Sequence, residues 1–238
     1  MTSPRGPRKF PRTIKARFPV LYPILDAETV LRGSAAPTKQ RRWERLRSLV
    51  RELNEAGVEI LQYRNKDDDD VVVAEDLLAM KEAAGTMRLI LNDRAALVAA
   101  AGWGGVHVGQ GDLSPTEARQ MVGRGGLVGL STHNEAQMIV ANREPVDYVA
   151  IGPVFATASK FDASPVIGLE GVARARTLTE KPLIAIGGIT RETAPAVYDA
   201  GADSVAVIGA IFGSNGAQTG PGVRSAADCA RDFLEIFK

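Results

Sequence analysis

"LILNDRAALVAAAGWGGVHV" (residues 89–108) holds the decision about the fold. Leu89, Ile90 and Leu91 form an apolar run with no alternation of polar and apolar residues, the mark of a strand buried on both faces, as in parallel sheets. Asn92, Asp93 and Arg94 follow with no turn residue between. The apolar segment "AALVAAAG" then reads as a helix, and "GVHV" as the next strand. Worked outward, the same alternation fills the chain. Short apolar, β-branched runs stand at 20–25, 58–63, 89–92, 105–108, 127–130, 148–152, 183–187 and 204–208. Between them lie helical stretches. In "TKQRRWERLRSLVRELNEAG", Trp43, Leu46, Val50 and Leu53 fall at helical spacing and Gly57 ends the turn. "SPTEARQMVG" places Pro115 at a first helical position, and "TRETAPAVYDAG" opens at Thr190 like a capped helix. Eight strands alternating with helices predict a single α/β domain over residues 18–238, a (β/α)8 TIM barrel. A doubly wound open sheet is the runner-up, and it lacks a G-x-G-x-x-G loop after an early strand.

Composition narrows the chemistry. With 29 Lys+Arg against 28 Asp+Glu, the formal charge is only +1, so there is no global attraction to nucleic acid or to a membrane surface. An anionic ligand must be met locally. The single Cys229 permits no internal disulfide and no cysteine-based zinc cluster, which fits a reducing, cytoplasmic setting. No apolar run approaches the roughly 20 residues that span a bilayer. Residues 1–17, "MTSPRGPRKFPRTIKAR", are basic, proline-containing and free of acids, and read as a flexible N-terminal arm.

In a barrel of this kind the loops after each strand share one face, where chemistry is placed. Those positions carry Gln62, Arg64 and Lys66; Asn92, Asp93 and Arg94; Gln110 and Asp112; Ser131, Thr132 and His133; Thr157, Ser159 and Lys160; then Gly187, Gly188 and Gly209. Capping of the helix that follows by Asn92 or Asp93 is the plain alternative for one such end. It does not account for an Arg and a Lys two residues apart in "QYRNK", or for the Lys that closes "TASK". Several cations and two carboxylates around one cavity suit a polyphosphate bridged by a hard cation. Mg2+ takes one or two carboxylates together with phosphate oxygens. Asp93 and Asp112 are the pair; an Asp93–Arg94 ion pair and an N-cap at Asp112 are their plain alternatives. "IAIGGIT", followed a strand later by "VAVIGAIF", matches a phosphate grip built from backbone N–H groups.

The motifs "QYRNK", "LNDRAALVAAAGWGGVHVGQGDL", "GLSTHNEAQ", "DYVAIGPVFATASK" and "PLIAIGGIT" resemble, in order and spacing, those of thiamine-phosphate synthases over about residues 20 to 212. The resemblance implies a transferase of thiamine biosynthesis. Its substrates would be 4-amino-2-methyl-5-hydroxymethylpyrimidine diphosphate and a thiazole phosphate, joined with loss of diphosphate and assisted by Mg2+. Carried over, Gln62, Arg64, Lys66, Asn92, Ser131 and Lys160 would meet the pyrimidine diphosphate, with Arg64, Lys66, Ser131 and Lys160 catalytic. Asp93 and Asp112 would hold the metal. Thr157, Ser159 and the backbone of Gly187, Gly188, Ile208 and Gly209 would meet the thiazole phosphate. The family's T-x-T-K reads Thr157-Ala158-Ser159-Lys160 here, which keeps the hydroxyl. Its Val-Ile-Ser reads Val207-Ile208-Gly209, which loses one.

Two rivals remain at this stage, a thiazole tautomerase-like paralogue and a non-catalytic phosphate-ligand sensor. Retention of Arg64, Lys66, Asn92, Asp93, Asp112 and Lys160 counts against the first, and only Gly209 supports the second. Partners reduce to small molecules, with homo-oligomerisation left open. His107, inside the fourth strand, reads as a barrel-lining histidine satisfied by hydrogen bonds. His133 reads equally as a substrate contact or as a cap for "NEAQMIVANRE". Asp67–Asp70 reads as a solvated helix N-terminus rather than a metal cluster. "GSNGAQTGPG" (213–222) reads as a loop over the thiazole side.

Overall fold

The computed structural model describes residues 18–31, 38–157, 165–213 and 224–237. Eight parallel strands close into a barrel in chain order: β1 (Leu21–Asp26), β2 (Ile60–Arg64), β3 (Arg88–Asn92), β4 (Gly105–Val108), β5 (Leu127–Thr132), β6 (Tyr148–Ile151), β7 (Leu183–Ile186) and β8 (Ser204–Val207). Around them run α1 (Ala27–Leu31), α2 (Lys39–Glu55), α3 (Asp70–Ala83), α4 (Ala95–Ala101), α5 (Pro115–Val122), α6 (Glu135–Ala141), α7 (Gly168–Leu178), α8 (Ala194–Asp199), α9 (Gly209–Phe212) and α10 (Ala226–Glu235). All eight expected strands are present. β1 extends through Asp26, whose carboxylate meets Arg64, and β5 through Thr132, whose buried hydroxyl donates to the Ala150 carbonyl. The basic arm 1–17, Ser159, Lys160 and residues 214–222 of the glycine-rich segment lie outside the described residues.

Helix boundaries follow local capping chemistry. Thr38 accepts the Arg41 N–H at the start of α2, whose Leu46, Leu49, Val50 and Leu53 are buried. Trp43 is only partly buried, beneath the Lys39 ammonium. Ser114 and Glu117 form a reciprocal capping box on α5, with Pro115 as its first residue. The segment opening at Thr190 behaves differently from expectation: α8 begins only at Ala194. The Thr193 hydroxyl accepts the Thr190 N–H in the turn before it, so the chain is still turning at 191–193.

The apolar interior has two parts. One continuous core fills the space between strands and helices. A smaller one fills the barrel itself, with Tyr22, Ile24, Ile60, Ile90, Tyr148, Ala150, Ile184 and Ala206 pointing inward. Large and small residues alternate so that the layers fit. Gly129 of β5 pairs with Tyr148 of β6. A β-carbon on Gly129 would stand 2.1 Å from Tyr148 Cζ, so the missing side chain is what lets that ring cross the barrel.

Candidate active site

The strand ends bring five of the expected residues, Gln62, Arg64, Asn92, Ser131 and Ile208, to one cavity. Its polar wall is made by Gln62, Arg64, Asn92 and Ser131, and its apolar wall by Ile184, Ile186, Ala206 and Ile208. Lys66, Asp93 and Asp112 stand on the rim beside the polar wall and do not line the cavity. On the opposite side, Gly187 and Gly188 continue from Ile186, and Gly209 from Ile208.

Asn92, Asp93 and Arg94 do not cap α4. The N-cap position belongs to Arg94, and its side chain makes no capping bond. Asp93 sits at φ 65°, a left-handed conformation uncommon for a residue with a side chain. Its N–H donates to the His107 carbonyl at 2.8 Å, and Ala95 N–H donates to the Asp93 carbonyl at 3.0 Å. This tight turn leaves the Asp93 carboxylate on the rim, 3.2 Å from Lys66 Nζ. Backbone strain held at a single residue is a feature of functional sites. Nor does Asp93 pair with Arg94. The Arg94 guanidinium instead donates to the carbonyls of Asn65 and Asp68, at 3.3 and 2.6 Å, and pairs with Asp70. It thereby braces the β2–α3 loop, which carries Lys66, against the β3–α4 loop, which carries Asp93.

Asp112 does not cap α5 either, because Ser114 does. Its carboxylate accepts the Gly109 N–H at 2.8 Å and faces Asp93. Burial, then the hydrogen bond and charge of Asp112, raise the Asp93 carboxyl above its ordinary pKa. Burial works in the same direction on Asp112, but the hydrogen bond from Asp93, the Gly109 N–H and the Lys66 charge bring it below its ordinary value. As pH falls, Asp93 therefore takes up a proton before Asp112 does. Among the described residues no group of three His, Cys, Asp or Glu side chains converges for a metal.

Arg64 is half-buried and ion-paired with Asp26, at the end of β1. Asp26 was not singled out from the sequence, although it ends "LYPILD" at the same strand-end position as the residues that were. Asp26 also accepts the Thr29 N–H and hydroxyl, which fixes it under the guanidinium. Behind the same loop, the fully buried Asp76 accepts from Arg42 and from the Tyr63 hydroxyl at 2.5 Å. Asn65 joins this network through Tyr63 and Asp68. Asp69 caps α3 and Asp68 pairs with Arg42, so the acidic run is a helix start tied to its neighbours. His133 neither caps α6, where Asn134 does, nor lines the cavity; its Nδ1 lies 2.7 Å from the Gly152 carbonyl oxygen.

The loops after β6 and β7 are stitched together. Val154 and Phe155 N–H donate to the carbonyls of Ile186 and Gly187. Gly187 and Gly188 both have positive φ, and a β-carbon on Gly188 would stand 2.4 Å from the Ala156 carbonyl oxygen. Only glycine fits that pair of positions. Thr157 is exposed at the end of the described part of this loop.

A family model described as thiamine monophosphate synthase matches residues 36–211. The chain belongs to the thiamine-phosphate synthase family. It is 48% identical over 193 residues to a thiamine-phosphate synthase of Koribacter versatilis, a match covering 81% of this chain and 88% of that one. It is 37% identical over 206 residues to the thiamine-phosphate synthase of Azorhizobium caulinodans, covering 83% and 93%. Among solved structures, the thiamine phosphate pyrophosphorylase of Pyrococcus furiosus superposes with a TM-score of 0.73 at 24% identity, covering 91% and 94%, which supports the barrel fold. Membership of the thiamine-phosphate synthase family makes the chain a transferase of thiamine biosynthesis, and the comparisons favour neither the tautomerase-like nor the sensor reading.

Proposed function

We propose that the chain joins 4-amino-2-methyl-5-hydroxymethylpyrimidine diphosphate to a thiazole phosphate, giving thiamine phosphate and free diphosphate. The supporting observation is the division of the cavity. Cationic and amide side chains line one wall beside a carboxyl pair, while an apolar wall leads to paired glycines across the mouth. One side suits an aminopyrimidine diphosphate, and the other a phosphate held by backbone N–H groups.

In this reading Gln62, Asn92 and Ser131 hold the pyrimidine diphosphate, and Arg64, Lys66 and Lys160 neutralise its phosphates. The carbon–oxygen bond between the pyrimidine methylene and the diphosphate breaks, and its electron pair leaves with the diphosphate. The thiazole nitrogen lone pair then forms the new carbon–nitrogen bond, leaving the positive charge on the thiazolium ring. That nitrogen carries no proton, so no general base is required. Ile184, Ile186 and Ile208 keep water from the cationic methylene, which water would otherwise capture. Thr157, Ser159 and the backbone of Gly187, Gly188, Ile208 and Gly209 orient the thiazole phosphate.

Asp93 and Asp112 suit Mg2+: the two carboxyls face each other on the rim, where each disfavours the other's charge, and a divalent cation that takes one or two carboxylates plus phosphate oxygens would relieve that repulsion. Bound there, Mg2+ supplies Lewis-acid neutralisation of the departing diphosphate. The lone cysteine and the phosphorylated substrates fit a cytoplasmic enzyme. Among the described residues no helix is long and apolar enough to cross a membrane.

Incubation of the full chain with both substrates and Mg2+, with chromatographic detection of thiamine phosphate, tests the proposal. Product that forms only when both substrates are present is the expected result. A folded chain that forms none refutes it.

A further inference from the structure

Beneath the cavity, four hydrogen bonds join two of its wall residues through the barrel interior. Gln62 Nε2 donates to Tyr22 Oη at 3.1 Å, and Tyr22 Oη lies 2.8 Å from Tyr148 Oη. Tyr148 Oη lies 3.1 Å from His107 Nδ1, and His107 Nε2 lies 2.8 Å from Ser131 Oγ. The two tyrosines are fully buried, and among the described residues no buried side-chain polar atom lacks a partner.

The proton count gives this chain a direction. Each phenol has one proton to donate, and a neutral imidazole has one donor and one acceptor nitrogen. With the Gln62 amide donating at one end, Tyr22 satisfies its own O–H only by donating to Tyr148. Tyr148 in turn donates to His107 Nδ1. The remaining imidazole proton, on Nε2, goes to Ser131 Oγ. The Ser131 proton is then left for the cavity, as is the Gln62 carbonyl oxygen. With the Gln62 amide nitrogen facing Tyr22, the opposite direction strands a buried donor at Tyr22.

The arrangement has its own supporting structure. The Tyr148 ring crosses the barrel only because residue 129 is glycine. It stacks on the His107 ring at 28° between planes and packs against Phe18 and Tyr22. Burial raises both phenol pKa values, so the two tyrosines remain donors at any working pH.

We propose that Tyr22, Tyr148 and His107 are positioning residues: a one-way hydrogen-bond relay from Gln62 that holds the Ser131 hydroxyl as a donor toward the bound pyrimidine diphosphate. The role at Ser131 rests on the substrate reading above; the direction of the relay does not. A fixed acceptor at Gln62 and a fixed donor at Ser131 select a ligand offering an amine at one point and an electron-rich atom at the other, as an aminopyrimidine diphosphate does.

Two measurements test it. The first is nitrogen NMR of the imidazoles in the full wild-type chain, which contains only two histidines, with His107→Gln used for assignment. The expected state of His107 is Nε2 protonated and Nδ1 bare, and the opposite tautomer overturns the relay whether or not the enzyme turns over. The second is a kinetic cycle with Tyr148→Phe, which removes one link and keeps the ring. It should lower kcat/KM for the pyrimidine diphosphate about tenfold in the wild-type background, but by less than roughly twofold in a Ser131→Ala background, because coupled residues are non-additive. Equal losses in both backgrounds overturn the positioning role, since a purely structural defect would act in each. His107→Gln, which retains a donor and an acceptor, should keep more activity than His107→Leu; equal loss counts against the relay. A wild-type chain that forms no thiamine phosphate rejects the substrate reading, while the tautomer still decides the direction of the relay.

Discussion

Gly209→Ser restores the hydroxyl found after strand eight in the family pattern, and the surroundings of that residue say what it should do. Glycine can be required by positive φ or by a close neighbour, and neither applies here. Gly209 is not among the residues with positive φ, and a β-carbon built on it meets no atom within 4 Å. The substitution therefore carries no steric cost, and serine is a slightly better helix former than glycine at the start of α9. On the proposed reading, the new hydroxyl adds one hydrogen bond to the thiazole phosphate. A bond to a charged group contributes about 1.5–3 kcal/mol, or roughly ten- to a hundredfold in affinity. Since the bond is present before and after the chemical step, KM for the thiazole phosphate should fall by about that factor with kcat little changed. KM for the pyrimidine diphosphate should stay the same. The assay is steady-state kinetics with each substrate varied in turn, and Gly209→Ala as the control that adds the β-carbon without the hydroxyl. An unchanged or raised thiazole KM in Gly209→Ser refutes the reasoning. An equal gain in Gly209→Ala would assign the effect to backbone stiffening instead.

Asp93→Ala and Asp112→Ala should each remove most activity while the thermal midpoint shows a folded barrel; full turnover in chelator, or by the double variant, rejects the metal assignment. Because Asp93 is held above its ordinary value, Mg2+ binding should weaken as pH falls into the acid range sooner than for an ordinary carboxylate, read by calorimetry at a series of pH values, and Asp93→Asn should flatten that dependence. Arg94→Ala, which unties the two loops, should raise KM for the pyrimidine diphosphate more than KM for the thiazole phosphate; an equal effect on both would show a general loosening. Asp76→Ala leaves the partly buried Arg42 without its principal partner and should cost about 3–5 kcal/mol in a denaturant melt.

The barrel was legible because its evidence is local and repeated: each strand is a short apolar run, and each is followed by a helix with its own cap or stop. Asn92 and Asp93 show where local reasoning ends. As residues they fit a helix cap, and only the turn at φ 65°, fixed by the His107 carbonyl from the neighbouring strand, takes them out of that role. Gln62, Arg64, Asn92 and Ser131 could be read from their strand-end positions, because parallel register carries such residues to one face. Asp26 ends its strand in the same way, but a single acid after an apolar run is also a common helix start. The relay was illegible for a different reason. His107 could be read as a satisfied barrel histidine, but its partners lie on β5 and β6, and Tyr22 and Tyr148 are 126 residues apart. Gly129 was the only trace of the crossing ring, and a glycine within a strand has several explanations.

The charges around the polar wall explain why such a site would depend on a cation. Arg64 is already paired with Asp26, and Lys66 with Asp93, while Asp112 adds a further carboxyl beside Asp93. Two cationic side chains thus face three acids, and this group of described residues offers an incoming diphosphate no net attraction. The chain as a whole, at a formal +1, does not compensate. A divalent cation between Asp93 and Asp112 would leave a net positive charge at the rim, and only then would there be a field to hold a leaving group bearing several negative charges. The pairing also keeps the charged side chains in place beforehand. Asp26 fixes Arg64, Arg94 braces the loop that carries Lys66, and the relay orients Ser131, so little rearrangement is needed when charge builds on the departing diphosphate. The acids that cancel the attraction of the ligand-free rim are on this account the same groups that would make the loaded rim selective for diphosphate bound with its metal.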